Sequence, residues 1–153
     1  MKKIIVFLMC LCFIATSARA FDADECEAAG GTVITRNVNG ATGAPSTCNS
    51  DKCPSTTKTF CKSGQAMNWW SAFNWCASIS GSLASFSAMC PGVPTAVNNI
   101  TGACPGLQGK GDSWVWSSLG YGSNDAVVVN LSSGAVGNYT RYGSPYGRNA
   151  LCE

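Results

Sequence analysis

The sequence has no histidine and only 12% charged residues, and each shortage narrows what the chain can do. Without an imidazole there is no Ser-His or Cys-His nucleophile pair and no proton shuttle near neutral pH, and the commonest metal ligand is missing. No Cys-x-x-Cys pair occurs, so a zinc site would have to be built from scattered thiolates alone. Long apolar runs are also lacking. The run Ile4 to Ile14 is eleven residues, against the 20 or so that a helix needs to cross a bilayer.

That run has a different meaning in its context. Lys2 and Lys3 precede it and Ala18-Arg19-Ala20 follows as a small-x-small cleavage site, which reads as a secretory signal peptide over residues 1–20. Cys10 and Cys12 do not sit in a lipobox, so a lipid anchor is not expected, and the mature chain starts at Phe21. The Met-Lys-Lys opening suits bacterial export, to the periplasm, the cell surface or the medium. Lys2, Lys3 and Arg19 leave with the leader, so the remaining 133 residues carry seven basic against eight acidic side chains, a net charge of −1. A domain without a basic surplus lacks the electrostatic footprint that a phosphate backbone requires, which excludes nucleic acid as a partner.

Cysteine is what the chain has in plenty. Two of ten lie in the leader, and the other eight are Cys26, Cys48, Cys53, Cys61, Cys76, Cys90, Cys104 and Cys152. An even number in an exported domain implies four disulfides. Residues 21–61 hold four of these cysteines among Gly, Thr, Ser, Asn and Pro, with one short β-like run at Thr32 to Thr35, and read as a disulfide-stapled extension with little core of its own. Three pairings are open among Cys26, Cys48, Cys53 and Cys61. Cys90 and Cys104 bracket a Gly-, Pro- and Asn-rich stretch from Pro91 to Gly111 and would close it as a loop.

Residues 62–153 have more regular patterning. Asn68 is an N-cap and Gly81 a stop for a helix from Trp69, in which Ala72, Phe73, Cys76 and Ser80 share the core face while Trp70 and Asn74 point elsewhere. Trp69 and Trp75 read as packing residues rather than a sugar-stacking platform. A short second helix follows Gly81 and ends at Cys90-Pro91. Strand-like runs come next at Ser113–Ser118, Ala126–Leu131, Ala135–Tyr139 and Ala150–Cys152, with Ser132-Ser133-Gly134 as a hairpin turn between the second and third. The expected class is α+β, with two short helices and a small antiparallel sheet.

This order of elements resembles the C-type lectin-like fold in its bacterial secreted and surface forms. The resemblance is carried by Trp69-x-x-Ala72-x-x-x-Cys76, Gly81-x-Leu83-Ala84, Trp116-Ser117-Ser118, Val128-x-x-Leu131-x-x-Gly134 and Arg148-Asn149-Ala150-Leu151-Cys152-Glu153, and it covers about residues 62–153. It implies that Cys76 pairs with Cys152, a long loop whose closure is worth about 4 kcal/mol in the chain-entropy account. The calcium-dependent sugar binders of that family carry Glu-Pro-Asn or Gln-Pro-Asp in the long loop and Trp-Asn-Asp on a strand. Neither tripeptide is present, and Ser123 stands where Trp would precede Asn124-Asp125. Calcium takes six to eight oxygens, and Asp112, Asn124 and Asp125 are read as turn formers. No metal or other cofactor is expected.

Three function classes follow. The leading one is an adhesin-like binding module for a glycan or a surface protein, with Tyr139, Arg141, Tyr142, Tyr146 and Arg148 as the recognition residues. Tyrosine gives rigid amphipathic area and arginine planar hydrogen bonding. The same segment also reads as a Gly-Pro loop with partly buried tyrosines. A structural role as a minor subunit of a surface fibre or envelope assembly is the alternative. An enzyme would need a carboxylate pair such as Glu25 with Glu27 or Asp112 with Asp125, both in turn-like sequence, and is not expected. Asn99-x-Thr101, Asn130-x-Ser132 and Asn138-x-Thr140 match glycosylation acceptors, which in a bacterial chain are chance.

Overall fold

The computed structural model describes residues 22–37, 57–93, 103–142 and 147–153. The leader, Cys48, Cys53, Asn99 and Tyr146 lie outside the described residues.

The class is α+β. Helix α1 (Ala23–Ala28) precedes strand β1 (Thr32–Arg36) and strand β2 (Lys58–Met67). Helices α2 (Trp69–Ser78) and α3 (Phe86–Met89) follow, then a 3-10 turn at Pro105–Leu107, and then β3 (Trp114–Tyr121), β4 (Asp125–Asn130), β5 (Val136–Thr140) and β6 (Arg148–Cys152). The six strands form one sheet in the order β1-β2-β6-β3-β4-β5.

That sheet is mixed, where an antiparallel one is expected from the sequence. β3 and β6 run parallel, with Val115 opposite Asn149 and Trp116 opposite Ala150. Hairpins set antiparallel neighbours, but β6 does not pair with the strand before it. It crosses to the middle of the sheet, where the crossing fixes its direction. Where β3 and β6 diverge, the segment 82–84 fills the gap. Ala84 donates to the Leu151 carbonyl at 2.7 Å and accepts from Ser118 N at 2.8 Å, and Ser82 and Glu153 exchange backbone bonds.

The residues 21–61 are less separate than their composition suggests. β1 pairs with β2, and β2 pairs with β6, so the 61/62 division runs inside β2. Arg36 is buried and donates to the Ala88 carbonyl of α3, while Asn37 N donates to Gly106 O at 2.9 Å. α1 and β2 were both missing from the sequence reading. β2 has few β-branched residues and is broken by Ser63-Gly64-Gln65, which hides the alternation that marks a strand.

The central strands are buried on both sides, with runs of consecutive buried residues in β3, β4 and β6 whose side chains go alternately to the two faces, so each face has its own core. Ile34, Phe60, Val115, Val127, Val129 and Leu151 pack on one side with α3 and Leu107. Cys61, Trp116, Ala126, Val128, Ala150 and Cys152 pack on the other with Trp69, Ala72, Cys76 and Cys26 from the two longer helices. Three disulfides join described residues: Cys26–Cys61, Cys76–Cys152 and Cys90–Cys104. Cys26–Cys61 is one bond from the three pairings left open.

Helix α2 keeps most of its expected form. Asn68 caps it, its side chain accepting from Ser71 N at 2.8 Å. Trp69, Ala72 and Cys76 are buried. The stop differs in detail: Ser80, with φ 60°, takes the left-handed position assigned to Gly81, and it is exposed rather than on the core face. Ile79 fills that place in the core. No helix of the described residues is long and apolar enough to cross a membrane.

Candidate binding surface

Two of the largest exposed apolar side chains are Trp70, 49% exposed, and Tyr142, 67% exposed. They flank a single backbone contact: Trp69 N donates to Arg141 O at 3.3 Å. The start of α2 and the end of β5 therefore meet here, and each presents its next residue to solvent. Trp69 itself is buried and donates its indole N–H to Ser117 O at 2.8 Å. Trp70 and Phe73 both meet its ring edge-on, with centroids at 4.7 and 4.6 Å, the geometry that the aromatic quadrupole favours.

Arg141 fastens this cluster. Its guanidinium carbon lies 4.5 Å from the Trp69 ring centroid, and its Nε donates to the Asp125 carbonyl at 2.7 Å. Its backbone N–H donates to Asn124 O at 2.8 Å. Gly120 makes room for it, since a Cβ there would sit 2.2 Å from Arg141 Nη2. Asp125 in turn accepts from Asn138 Nδ2 at 2.9 Å.

The five residues assigned to recognition from sequence thus divide. Tyr142 is open to solvent. Tyr139 is half-buried, 6.2 Å from the Trp116 ring, and covered by the Arg148 guanidinium at 4.0 Å. Arg141 and Arg148 are half-buried over aromatic rings. Tyr146 lies outside the described residues. Trp70 was left out of the set, although its place off the core face of α2 already pointed to exposure.

The carboxylates considered for acid–base work are not gathered at one place. Glu25 and Glu27 are two apart on α1, a spacing that turns side chains away from each other. Asp112 precedes β3 beside Trp114, which pairs with Asn130, whereas Asp125 pairs with Tyr121 at the other end of that hairpin. The two carboxylates lie at opposite ends of the eight-residue β3, roughly 20 Å apart. Asp112 is equally remote from Asn124 and Asp125 as a joint calcium ligand. Among the described residues no group of three His, Cys, Asp or Glu is placed to hold a metal ion.

In comparison with known proteins, the chain matches no family model, no curated protein and no solved structure.

Proposed function

We propose that this chain is an exported, calcium-independent binding module of C-type lectin-like fold, meeting a glycan or a surface protein through Trp70 and Tyr142. The observation that carries the reading is the exposure of these two aromatics on either side of a fastened backbone contact. Trp69, Arg141 and Asn124 hold the contact from below, so little backbone freedom at these two positions is lost on binding. Exposed Trp and Tyr are the residues on which binding energy concentrates in interfaces. Three disulfides are the chemistry of an oxidising compartment, which supports export. The helix order, the Cys76–Cys152 bond and the closing strand beside β2 support the fold.

The test is a glycan array and a panel of purified envelope proteins, probed with the intact chain and with a Trp70→Ala/Tyr142→Ala variant. Binding to a defined glycan or protein that is lost in the variant, while far-UV circular dichroism shows the variant still folded at the assay temperature, supports the proposal. Binding that survives both substitutions overturns the site, and binding lost with EDTA overturns calcium independence. Recovery only as a stoichiometric component of an envelope assembly would favour the structural-subunit alternative.

A further inference from the structure

A cleft of about 260 Å³ opens on a different side of α2, lined by Ala29, Gly30, Ser63, Gly64, Gln65, Met67 and Trp75. Trp75 is five residues beyond Trp70, about 140° further round the helix axis, so the cleft is separate from the aromatic surface above. Three features of it are unusual for plain packing.

The first is the backbone. β2 pairs with β6 at Lys62 and again at Ala66, opposite Leu151 and Asn149, so residues 63–65 face a single β6 residue and have no ladder partner. Ser63 mends part of the break: its hydroxyl accepts from Ala150 N at 2.9 Å and donates to Gln65 O at 2.7 Å, and its carbonyl accepts from Asn149 Nδ2 at 2.6 Å. Bulges of this kind re-aim backbone and side chains at functional positions. The second is the closeness of the wall. A Cβ at Gly64 would lie 2.4 Å from Gly30 O, so only glycine lets the bulge and the turn that follows α1 approach to form the cleft.

The third is Trp75. The indole N–H groups of Trp69 and Trp116 are both spent on backbone carbonyls, at 2.8 Å each. That of Trp75 has no partner among the described residues, and its ring is half-buried at the cleft. The cleft therefore offers an aromatic wall, a free indole donor and the Gln65 amide, with no charged side chain in its lining.

We infer that this cleft is a subsite for one neutral hexopyranose ring. A sugar has an apolar C–H face to set against the indole and hydroxyls that pair with an amide and an N–H donor. The absence of charge in the lining disfavours anionic ligands. Its volume lies just under the range of about 300–1,000 Å³ typical of drug-sized ligands, which suits a single ring rather than an oligosaccharide. The assignment does not rest on the Trp70 and Tyr142 surface.

The experiment is an NMR titration of the ¹⁵N-labelled chain with the methyl glycosides of glucose, galactose, mannose and N-acetylglucosamine at millimolar concentration. The Trp75 indole signal, identified by its loss in Trp75→Phe, should move and saturate with at least one of them. Gln65→Ala, at an exposed position that keeps the fold, should weaken that binding about 5-fold, as for loss of one hydrogen bond. The Trp70→Ala/Tyr142→Ala variant should bind as the parent does. No movement of the Trp75 signal with any of the four, an unchanged affinity in Gln65→Ala, or tighter binding of glucuronate overturns the subsite. Loss of binding in the Trp70→Ala/Tyr142→Ala variant would place the sugar on the other surface.

Discussion

Arg141 and Tyr142 are neighbours in sequence with opposite duties. Arg141 lies over Trp69 and donates to the Asp125 carbonyl, so Arg141→Ala removes a cation–π contact and leaves a carbonyl without its donor. The expected loss is about 1–3 kcal/mol in chemical denaturation. Arg141→Lys should recover only part of it, because an ammonium cannot stack flat on the indole and donate from Nε at once. Tyr142→Ala should stay within about 0.5 kcal/mol of the parent, as an exposed side chain. Equal losses at the two positions would show that Tyr142 is packed and not a recognition residue. Glu153 gives the corresponding pH statement. Its side chain accepts from Ser85 N at 2.8 Å and pairs with Lys58. Burial alone would raise its carboxyl, but the bonds from Lys58 and Ser85 and the charge of Lys58 outweigh that and hold it below its ordinary value of 4.5. A depressed carboxyl stabilises the fold above its unfolded pKa, and that contribution disappears as pH falls through the folded value. Glu153→Gln should therefore lower the melting temperature at pH 7 by the modest amount of a partly exposed pair, and the two melting curves should converge as pH falls below 4.5. A constant difference across that range would mean the carboxylate charge is not what matters.

At the scale of elements, α2 and strands β3 to β5 were legible because each carries a local signature: Trp69, Ala72 and Cys76 on one helical face, Trp114 and Trp116 alternating in β3, and a short apolar run at Ala126–Val129 set off from β5 by the Ser132-Ser133-Gly134 turn. β2 was not, since Ser63-Gly64-Gln65 interrupts its period with a bulge whose cause lies across the sheet, at Asn149 and Ala150. The same limit applied to the site. That Tyr139 and Arg148 cover each other, or that Arg141 covers Trp69, depends on which strands come together, and no local pattern carries that. The end of α2 shows the reverse, where the local rule gave the right kind of stop one residue late. Ser80 holds φ 60° in the position that glycine takes without cost. Ser80→Gly should therefore stabilise the protein by about 1 kcal/mol in denaturant titration. A destabilised Ser80→Gly protein would show that the serine is held there by contacts worth more than its backbone strain.

Across the whole molecule, the two helices on one face of the sheet are anchored at a single place. Cys61 and Cys152 are direct partners across β2 and β6, and from that point one disulfide runs to Cys26 on α1 and the other to Cys76 on α2. The opposite face binds the same early segment again, because Ile34 and Phe60 share a core with Leu151 and Val115 and Lys110 Nζ donates to Asn37 Oδ1 at 2.8 Å. A segment fixed on both faces should unfold with the rest rather than before it. Cys26→Ala/Cys61→Ala opens a link between residues 35 apart, for which chain entropy gives a loss of roughly 4 kcal/mol. Its unfolding should still follow one transition, with tryptophan fluorescence and far-UV circular dichroism coincident. The strands β1 and β2 keep their ladders and their core residues without the bond, which is why cooperativity should outlast it. An early far-UV step with the fluorescence unchanged would mean that β1 and α1 are held on the sheet by the disulfide alone, and that the residues before β2 are an appended unit after all.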